Sequence, residues 1–289
     1  MKWLVDNDKK KALDIYWFQR FETNIDWNHP VTINEKIMWL SVFSDTTLWT
    51  KYADKYLVRN HLEDLGYGSY LTKTFGVWDD ADKIDFTTLP NSFVIKCTHD
   101  WNSTHVIVDK NKANLEEIRR DLKNHLGKPF GYTSCEPHYT KITPHILAEE
   151  LLVQTDAPFS SSIVDYKFFC VNGKARYCFV CYDRKNDSSI REIYDINPWK
   201  PNHAVMSESL IQQLNDVVVP EPKNLNLMIE VAEKLAVGFP FIRLDFYNIE
   251  GRIVFSEMTF TPSTGRLTCF SDEAQISIGK SIILPERKL

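Results

Sequence analysis

Two periodicities divide the chain. Through the first ninety residues apolar positions recur at helical spacing and aromatic residues are dense, so this region reads as mostly helical. Within residues 45–66, Leu48, Tyr52, Tyr56, Leu62 and Leu65 predict one packing helix, with Gly66 placed where a left-handed C-terminal residue belongs. From Asn91 the pattern changes to short β-branched and aromatic runs. Residues 92–97 and 105–108 predict two strands joined by a loop over 98–104. A helix follows, capped by Asn114, with Glu117 at the reciprocal capping-box position, Leu115, Ile118, Leu122 and Leu126 on one face and Gly127 at its end. Residues 145–152 read as a strand or a strand running into a linker. The pair Asn172-Gly173 between the runs 164–170 and 175–182 is the strongest hairpin signal in the chain. A helix over about 224–237 leads into a strand at 241–247, which turns at 248–251 into a returning strand at 253–260. Antiparallel hairpins with helices between them predict an α+β fold rather than strict βαβ alternation.

Composition narrows the class. The 289 residues carry 34 Lys plus Arg against 39 Asp plus Glu, a net charge of -5, and are 43% hydrophobic and 13% aromatic. Such a chain buries enough apolar surface to fold, so it is no disordered segment. No apolar stretch approaches the roughly 20 residues that span a bilayer, and a mildly acidic balance leaves no electrostatic footprint for nucleic acid. The chain reads as cytoplasmic, with no transmembrane segment and no nucleic-acid partner. Six scattered cysteines suit reduced thiols rather than a disulfide framework. Cys178 and Cys181 form a C-x-x-C inside a strand pattern that sends them to opposite faces, which disfavours zinc.

Several polar residues sit where strands otherwise belong in a core. Arg243 and Asp245 share one face of their strand, with Ile242, Leu244 and Phe246 on the other, and Glu257 and Thr259 share a face of the returning strand. Buried charges must be paired or must bind something. The set is either a structural Arg-Asp-Glu network on a solvated face or a site for a hard divalent cation holding phosphate oxygens. Lys96, after Phe93-Val94-Ile95, is either a snorkelling side chain or a phosphate-binding lysine. Asp165 and Lys167 share a face, as do Lys174 and Arg176 on the partner strand. They form either an exposed salt-bridged surface or a ribose-binding carboxylate beside a phosphate-neutralising lysine. Glu149-Glu150-Leu151-Leu152 is a strand end or a linker whose backbone pairs with an adenine edge, beside an apolar slot of Ile95 and Leu152. His99 and His105 flank the loop, and neither a hydrolase triad nor an H-E-x-x-H zinc site is present. Trp3, Trp17, Trp27, Trp39 and Trp49 are core or a sugar-binding wall, and core is the favoured reading.

The order of these parts resembles an ATP-grasp enzyme. More closely, the chain resembles the TupA-like ATP-grasp family of bacterial cell-surface polysaccharide loci, whose members are often labelled glycosyltransferases. The shared motifs run through nearly the whole chain. They include 32–36 (Thr-Ile-Asn-Glu-Lys), 53–56 with Val58-Arg59, Leu89-Pro90, 93–97, 165–168, Asn172-Gly173-Lys174, 243–247 and 260–262. The resemblance implies an ATP-grasp fold: a helical N-terminal region at 1–90, a small subdomain with phosphate loop and hinge at 91–152, and a metal- and phosphate-binding subdomain at 153–289, with ATP bound between two α+β subdomains. It implies ATP and Mg²⁺ as cofactors. Lys96 and the loop residues His99, Ser103 and Thr104 would hold phosphates, Glu149, Glu150 and Leu152 would grip adenine, and Asp165 would take the ribose. Asp245, Glu257 and Thr259 would bind Mg²⁺, Lys167 would hold the transferring phosphate, and Arg243 would steady it or an acyl-phosphate.

The implied reaction joins an amine to a carboxylate through an acyl-phosphate. The expected partners are a uronic acid of a capsule or O-antigen precursor, free or lipid-linked, and an amino acid or amino alcohol; a lipid-linked acceptor would put the chain at the inner face of the membrane. Two alternatives stand beside this. One is a glycosyltransferase, though no Asp-x-Asp motif follows a Rossmann-like strand pattern. The other is a non-catalytic ATP-grasp relic, because the family's glycine-bearing phosphate loop is here His99-Asp100-Trp101-Asn102-Ser103-Thr104. That loop has no glycine, and Asp100 adds a carboxylate to it.

Overall fold

The computed structural model describes residues 1–185 and 188–288, so the expected C-terminal subdomain 153–289 is described save for residues 186, 187 and 289. In chain order the helices are α1 (Lys2–Asn7), α2 (Lys9–Phe21), α3 (Ile33–Phe43), α4 (Thr47–Ala53), α5 (Leu57–Asp64), α6 (Leu115–Leu126), α7 (Glu208–Ile211), α8 (Leu225–Leu235) and α9 (Asp272–Ser281). The strands are β1 (Thr74–Trp78), β2 (Phe93–Cys97), β3 (His105–Ile107), β4 (Ile146–Glu149), β5 (Asp165–Val171), β6 (Lys174–Lys185), β7 (Ser188–Ile196), β8 (Trp199–Pro201), β9 (Phe241–Ile249) and β10 (Arg252–Thr259). They form two antiparallel sheets, and the chain divides into two compact units: Met1–Lys2 with Thr47–Leu152, and Trp3–Thr46 with Val153–Leu289. Residues 1–90 are therefore shared by both units. No helix among the described residues is long and apolar enough to cross a membrane.

The first unit holds the four-stranded sheet in the order β1-β4-β2-β3. Alternation along β2 sends Phe93, Ile95 and Cys97 into a core with Ile107, Ile118 and Leu122, and leaves Val94 and Lys96 on the other face. Asn114 caps α6 as expected, accepting from the Glu117 N–H at 3.2 Å, while the Glu117 carboxylate bonds the Asn114 side chain rather than its backbone. The single helix expected over 45–66 is two. Asp54, fully buried, accepts from the N–H groups of Tyr56 and Leu57 at 2.8 and 3.2 Å, ending α4 and starting α5. Gly66 has the expected left-handed conformation, φ +79°. The strand β1 lies inside the region expected to be mostly helical; it is an edge strand whose regularity a bulge between Thr74 and Gly76 interrupts.

The second unit is built on the six-stranded sheet β10-β9-β5-β6-β7-β8. Two of its hairpins, β5-β6 and β9-β10, are the expected ones. Asn172 and Gly173 have φ of 49° and 76°, the pair of left-handed residues a two-residue turn with matching twist requires. Helix α8 buries Met228, Val231 and Leu235. Strands β7 and β8 and helix α7 carry no prior reading from the sequence. The N-terminal helix α3, closed by a capping box between Thr32 and Glu35, packs against α9. There Gly279 is indispensable, because a Cβ would stand 2.1 Å from the Val31 carbonyl oxygen. Trp17, Trp27, Trp39 and Trp49 are buried, as the core reading requires, whereas Trp3 is 69% exposed. All six cysteines are buried.

Candidate functional site

On the second unit, strand register assembles one polar sheet face. Asp165 lies opposite Tyr247, Lys167 opposite Asp245 and Phe169 opposite Arg243; Glu257 is opposite Asp245 and Thr259 opposite Arg243. Asp245, almost fully buried, is the hub. Arg243 grips it with Nε on Oδ1 and Nη2 on Oδ2, both at 2.7 Å, and Lys167 Nζ donates to Oδ2 at 2.6 Å. Arg243 Nη2 also donates to Thr259 Oγ1 at 3.1 Å and stands 3.9 Å from Glu257 Oε2. Lys167 lies 3.4 Å from Asp165, which accepts a further bond from Arg184 Nη2 at 2.5 Å. Of the two readings left open for these strands, the exposed salt-bridged surface fails for Asp165 and Lys167, both of which are largely buried. Lys174 belongs elsewhere, bonded to Glu233 of α8 at 2.6 Å.

Burial opposes the charge on Asp245, but the Arg243 guanidinium and the Lys167 ammonium more than offset it and hold its pKa below the usual carboxylate range. Burial likewise works against Lys167, and the carboxylates of Asp165 and Asp245 overcome it, raising its pKa. Arg243 is raised for the same reason, with Asp245 the main partner. The cluster is thus an array of mutually paired charges. Asp245 and Glu257, register partners across β9 and β10, present hard oxygen donors of the kind a small divalent cation takes, with Arg243 sharing Asp245.

The first unit carries a parallel arrangement. Lys96 Nζ bonds Glu149 Oε1, and Glu149 Oε2 accepts from Thr72 Oγ1 at 2.6 Å with Arg59 Nη1 at 3.5 Å. Burial opposes the Glu149 charge; Lys96 above all, then Thr72 and Arg59, pull its pKa below the usual range. Lys96 is therefore an ion-paired side chain rather than a snorkelling one. Glu150 is half-buried, with its N–H on the Lys73 carbonyl at 2.9 Å, and Leu152 is half-buried beyond it. The apolar slot expected from Ile95 does not exist, because Ile95 is fully buried on the opposite face from Lys96; Val94 is the residue that shares the lysine's face.

The glycine-free loop is held from inside. Asp100, 5% exposed, accepts from Ser103 Oγ and from His125 Nδ1 at 2.6 Å, so its carboxylate is directed to the unit's own interior. Ser103 Oγ in turn accepts from the Cys97 N–H at 2.9 Å. His99 is buried, its ring Nε2 3.4 Å from the Lys128 carbonyl, and burial lowers its pKa. His105 bonds Asp121 at 2.8 Å. Trp101, Asn102 and Thr104 are the exposed side chains of the loop. Arg59 stands in a motif shared with the family but carries no site role in the sequence reading, and nothing local marks Arg184 or His125; each of the three reaches a carboxylate distant in the chain.

Two antiparallel α+β units, each presenting an ion-paired lysine on a sheet face, are those of an ATP-grasp protein. The model of the family described as TupA-like ATPgrasp matches residues 35–283, and the chain belongs to that family. No curated protein matches the chain. Among solved structures it is similar to the D-alanine–D-alanine ligase of Helicobacter pylori, with 14% identity and a TM-score of 0.48 over 87% of this chain and 69% of that one. It is similar also to the ATP-complexed D-alanine–D-alanine ligase of Bacillus anthracis, at 10% identity and a TM-score of 0.44 over 73% of this chain and 55% of that one. D-cycloserine synthetase DcsG is a third, at 13% identity and a TM-score of 0.44 over 82% and 71% of the two chains.

Proposed function

We propose that the chain is a Mg-ATP-dependent carboxylate–amine ligase that amidates a uronic acid of a cell-surface polysaccharide precursor. The observation that carries this reading is the buried Lys167–Asp245–Arg243 cluster with Glu257 and Thr259 on the same sheet face, in a chain of the TupA-like ATP-grasp family. Phosphoryl transfer needs positioning and charge neutralisation more than a protein nucleophile, and this cluster supplies both. Asp245, Glu257 and Thr259 would hold Mg²⁺, which when bound neutralises phosphate oxygens. Lys167 and Lys96 would contact phosphates, Glu150 to Leu152 would meet the adenine edge with their backbone, and Asp165 the ribose. In the loop, His99 and Ser103 serve by fixing its shape, leaving Thr104 and backbone N–H groups to face phosphate. A substrate carboxylate oxygen attacks the γ-phosphorus and ADP departs with the electron pair of the broken P–O bond. Arg243 then steadies the acyl-phosphate.

Incubation with ATP, Mg²⁺, a methyl glucuronoside and a pool of amines is expected to release ADP and phosphate only when both acceptors are present. Sugar transfer from a nucleotide sugar with no ADP formed overturns the reading. Mg-ATP is expected to raise the melting temperature by mass action, and Asp245→Asn or Glu257→Gln to remove that rise; no shift with the wild type supports a non-catalytic relic instead.

A further inference from the structure

The polar sheet face of the second unit carries a cavity of about 80 Å³. Register sets its floor. Arg243 on β9 lies opposite Phe169 on β5; Phe179 on β6 is one row further along, opposite Lys167; and Arg191 on β7, opposite Cys181, is one row beyond that. A diagonal therefore runs arginine, phenylalanine, phenylalanine, arginine, and all four line the cavity together with Leu210 and Ser263. The two phenylalanine rings are 6.1 Å apart, a tilted apolar floor between two cations.

The cations differ in their partners. Arg243 is committed to Asp245 and Thr259. Arg191 donates to a neutral group, Gln213 Oε1 at 3.3 Å, and among the described residues no carboxylate pairs with it. A guanidinium at the mouth of a cavity, without a carboxylate of its own chain, matches the two oxygens of an incoming carboxylate. Ser263, which lines the wall, and the Thr264 and Gly265 that follow it have φ of 51°, 57° and 74°, a run of left-handed backbone that two non-glycine residues adopt at a cost. Such strain is kept where surrounding structure over-determines it, here beside Arg243. The volume is well above the about 10–15 Å³ that a cavity needs to admit one water, and it suits a molecule the size of a small amino acid.

We infer that this cavity binds the amine substrate of the ligase, and that this amine is a small amino acid whose own carboxylate is held by Arg191. The inference rests on the ligase reading above. The carboxylate end lies at Arg191 and the amino group points along the phenylalanine floor to Arg243. There the nitrogen lone pair forms the N–C bond to the acyl carbon, the C–O bond to phosphate breaks, and phosphate leaves with that electron pair and takes up the amine proton. An amino alcohol of the same skeleton lacks the group that Arg191 reads.

Calorimetric titration of the full chain with glycine, alanine and serine, and with ethanolamine and serinol, tests the site independently of turnover. Wild type is expected to bind at least one amino acid tenfold or more tightly than the matching amino alcohol; Arg191→Gln is expected to lose that preference and Arg191→Lys to keep part of it. Equal affinity for amino acid and amino alcohol, no binding of any amino acid, or an unchanged preference in a folded Arg191→Gln chain overturns the inference. The ligase reading fails by a different result: no ADP released from Mg-ATP by any combination of uronoside and amine.

Discussion

Asp245 in the second unit and Glu149 in the first are each buried against two basic side chains, yet the two clusters are built differently. In the second unit Asp245 is 1% exposed, on a strand flanked by β5 and β10, and takes three charge-assisted bonds from Arg243 and Lys167. In the first, Glu149 closes the end of β4 at 8% exposure and shares its oxygens among Lys96, Arg59 and the neutral Thr72 hydroxyl. The difference teaches where rigidity resides. A carboxylate saturated by cations from its own and the neighbouring strand fixes charges for chemistry; one at a strand end, next to a linker, leaves its lysine a shorter path to a new partner.

Mutation can break this comparison. Asp245→Ala leaves two buried cations without their carboxylate and is expected to cost about 3–5 kcal/mol of unfolding free energy, read by urea denaturation. Glu149→Ala removes the hub of a less enclosed cluster, with an expected loss of about 1.5–3 kcal/mol. If the second variant costs as much as the first, the clusters are equivalent and the distinction between them is lost. Thr259→Val removes one acceptor from Arg243 and is expected to cost about 0.5–1.5 kcal/mol while weakening the Mg-ATP thermal shift more than the fold.

Acid sharpens it further. The lowered pKa values of Asp245 and Glu149 mean that both pairs contribute stability above the ordinary carboxylate range and lose it as pH falls below that range. His138 acts earlier on the first unit alone. Burial pushes its pKa down to about 3, so the fold needs the neutral imidazole, and stability declines as pH drops from the ordinary histidine value toward 3. The urea midpoint is expected to fall continuously from about pH 6.5 downward, and His138→Gln to flatten that limb; a midpoint level between pH 6 and 4.5 in the wild type contradicts it.

Much of the scaffold was legible because its signals are local. The hairpin at Asn172-Gly173, the capped helix after Asn114 and the shared faces of Arg243 with Asp245 and of Asp165 with Lys167 follow from turn chemistry and a period of two, and the structure has them all. The break at Asp54 was not legible, since apolar spacing is the same on either side of a side chain that caps a new helix. Nor was β1, an irregular edge strand.

The amino-acid sequence by itself determined the family, the α+β class and the residues that would face one another if the strands paired. The tertiary structure decided the pairings. Which carboxylate Lys96 meets, that Arg184 reaches Asp165 and that Arg191 stands across two phenylalanines from Arg243 depend on strand register, while Arg59 on α5 reaching Glu149 and Asp100 turning inward to His125 on α6 depend on how helices pack in the first unit. The physical reason is range. Periodicity and capping act over a few residues, whereas a buried charge finds its partner only once distant strands lie side by side and water is excluded from between them.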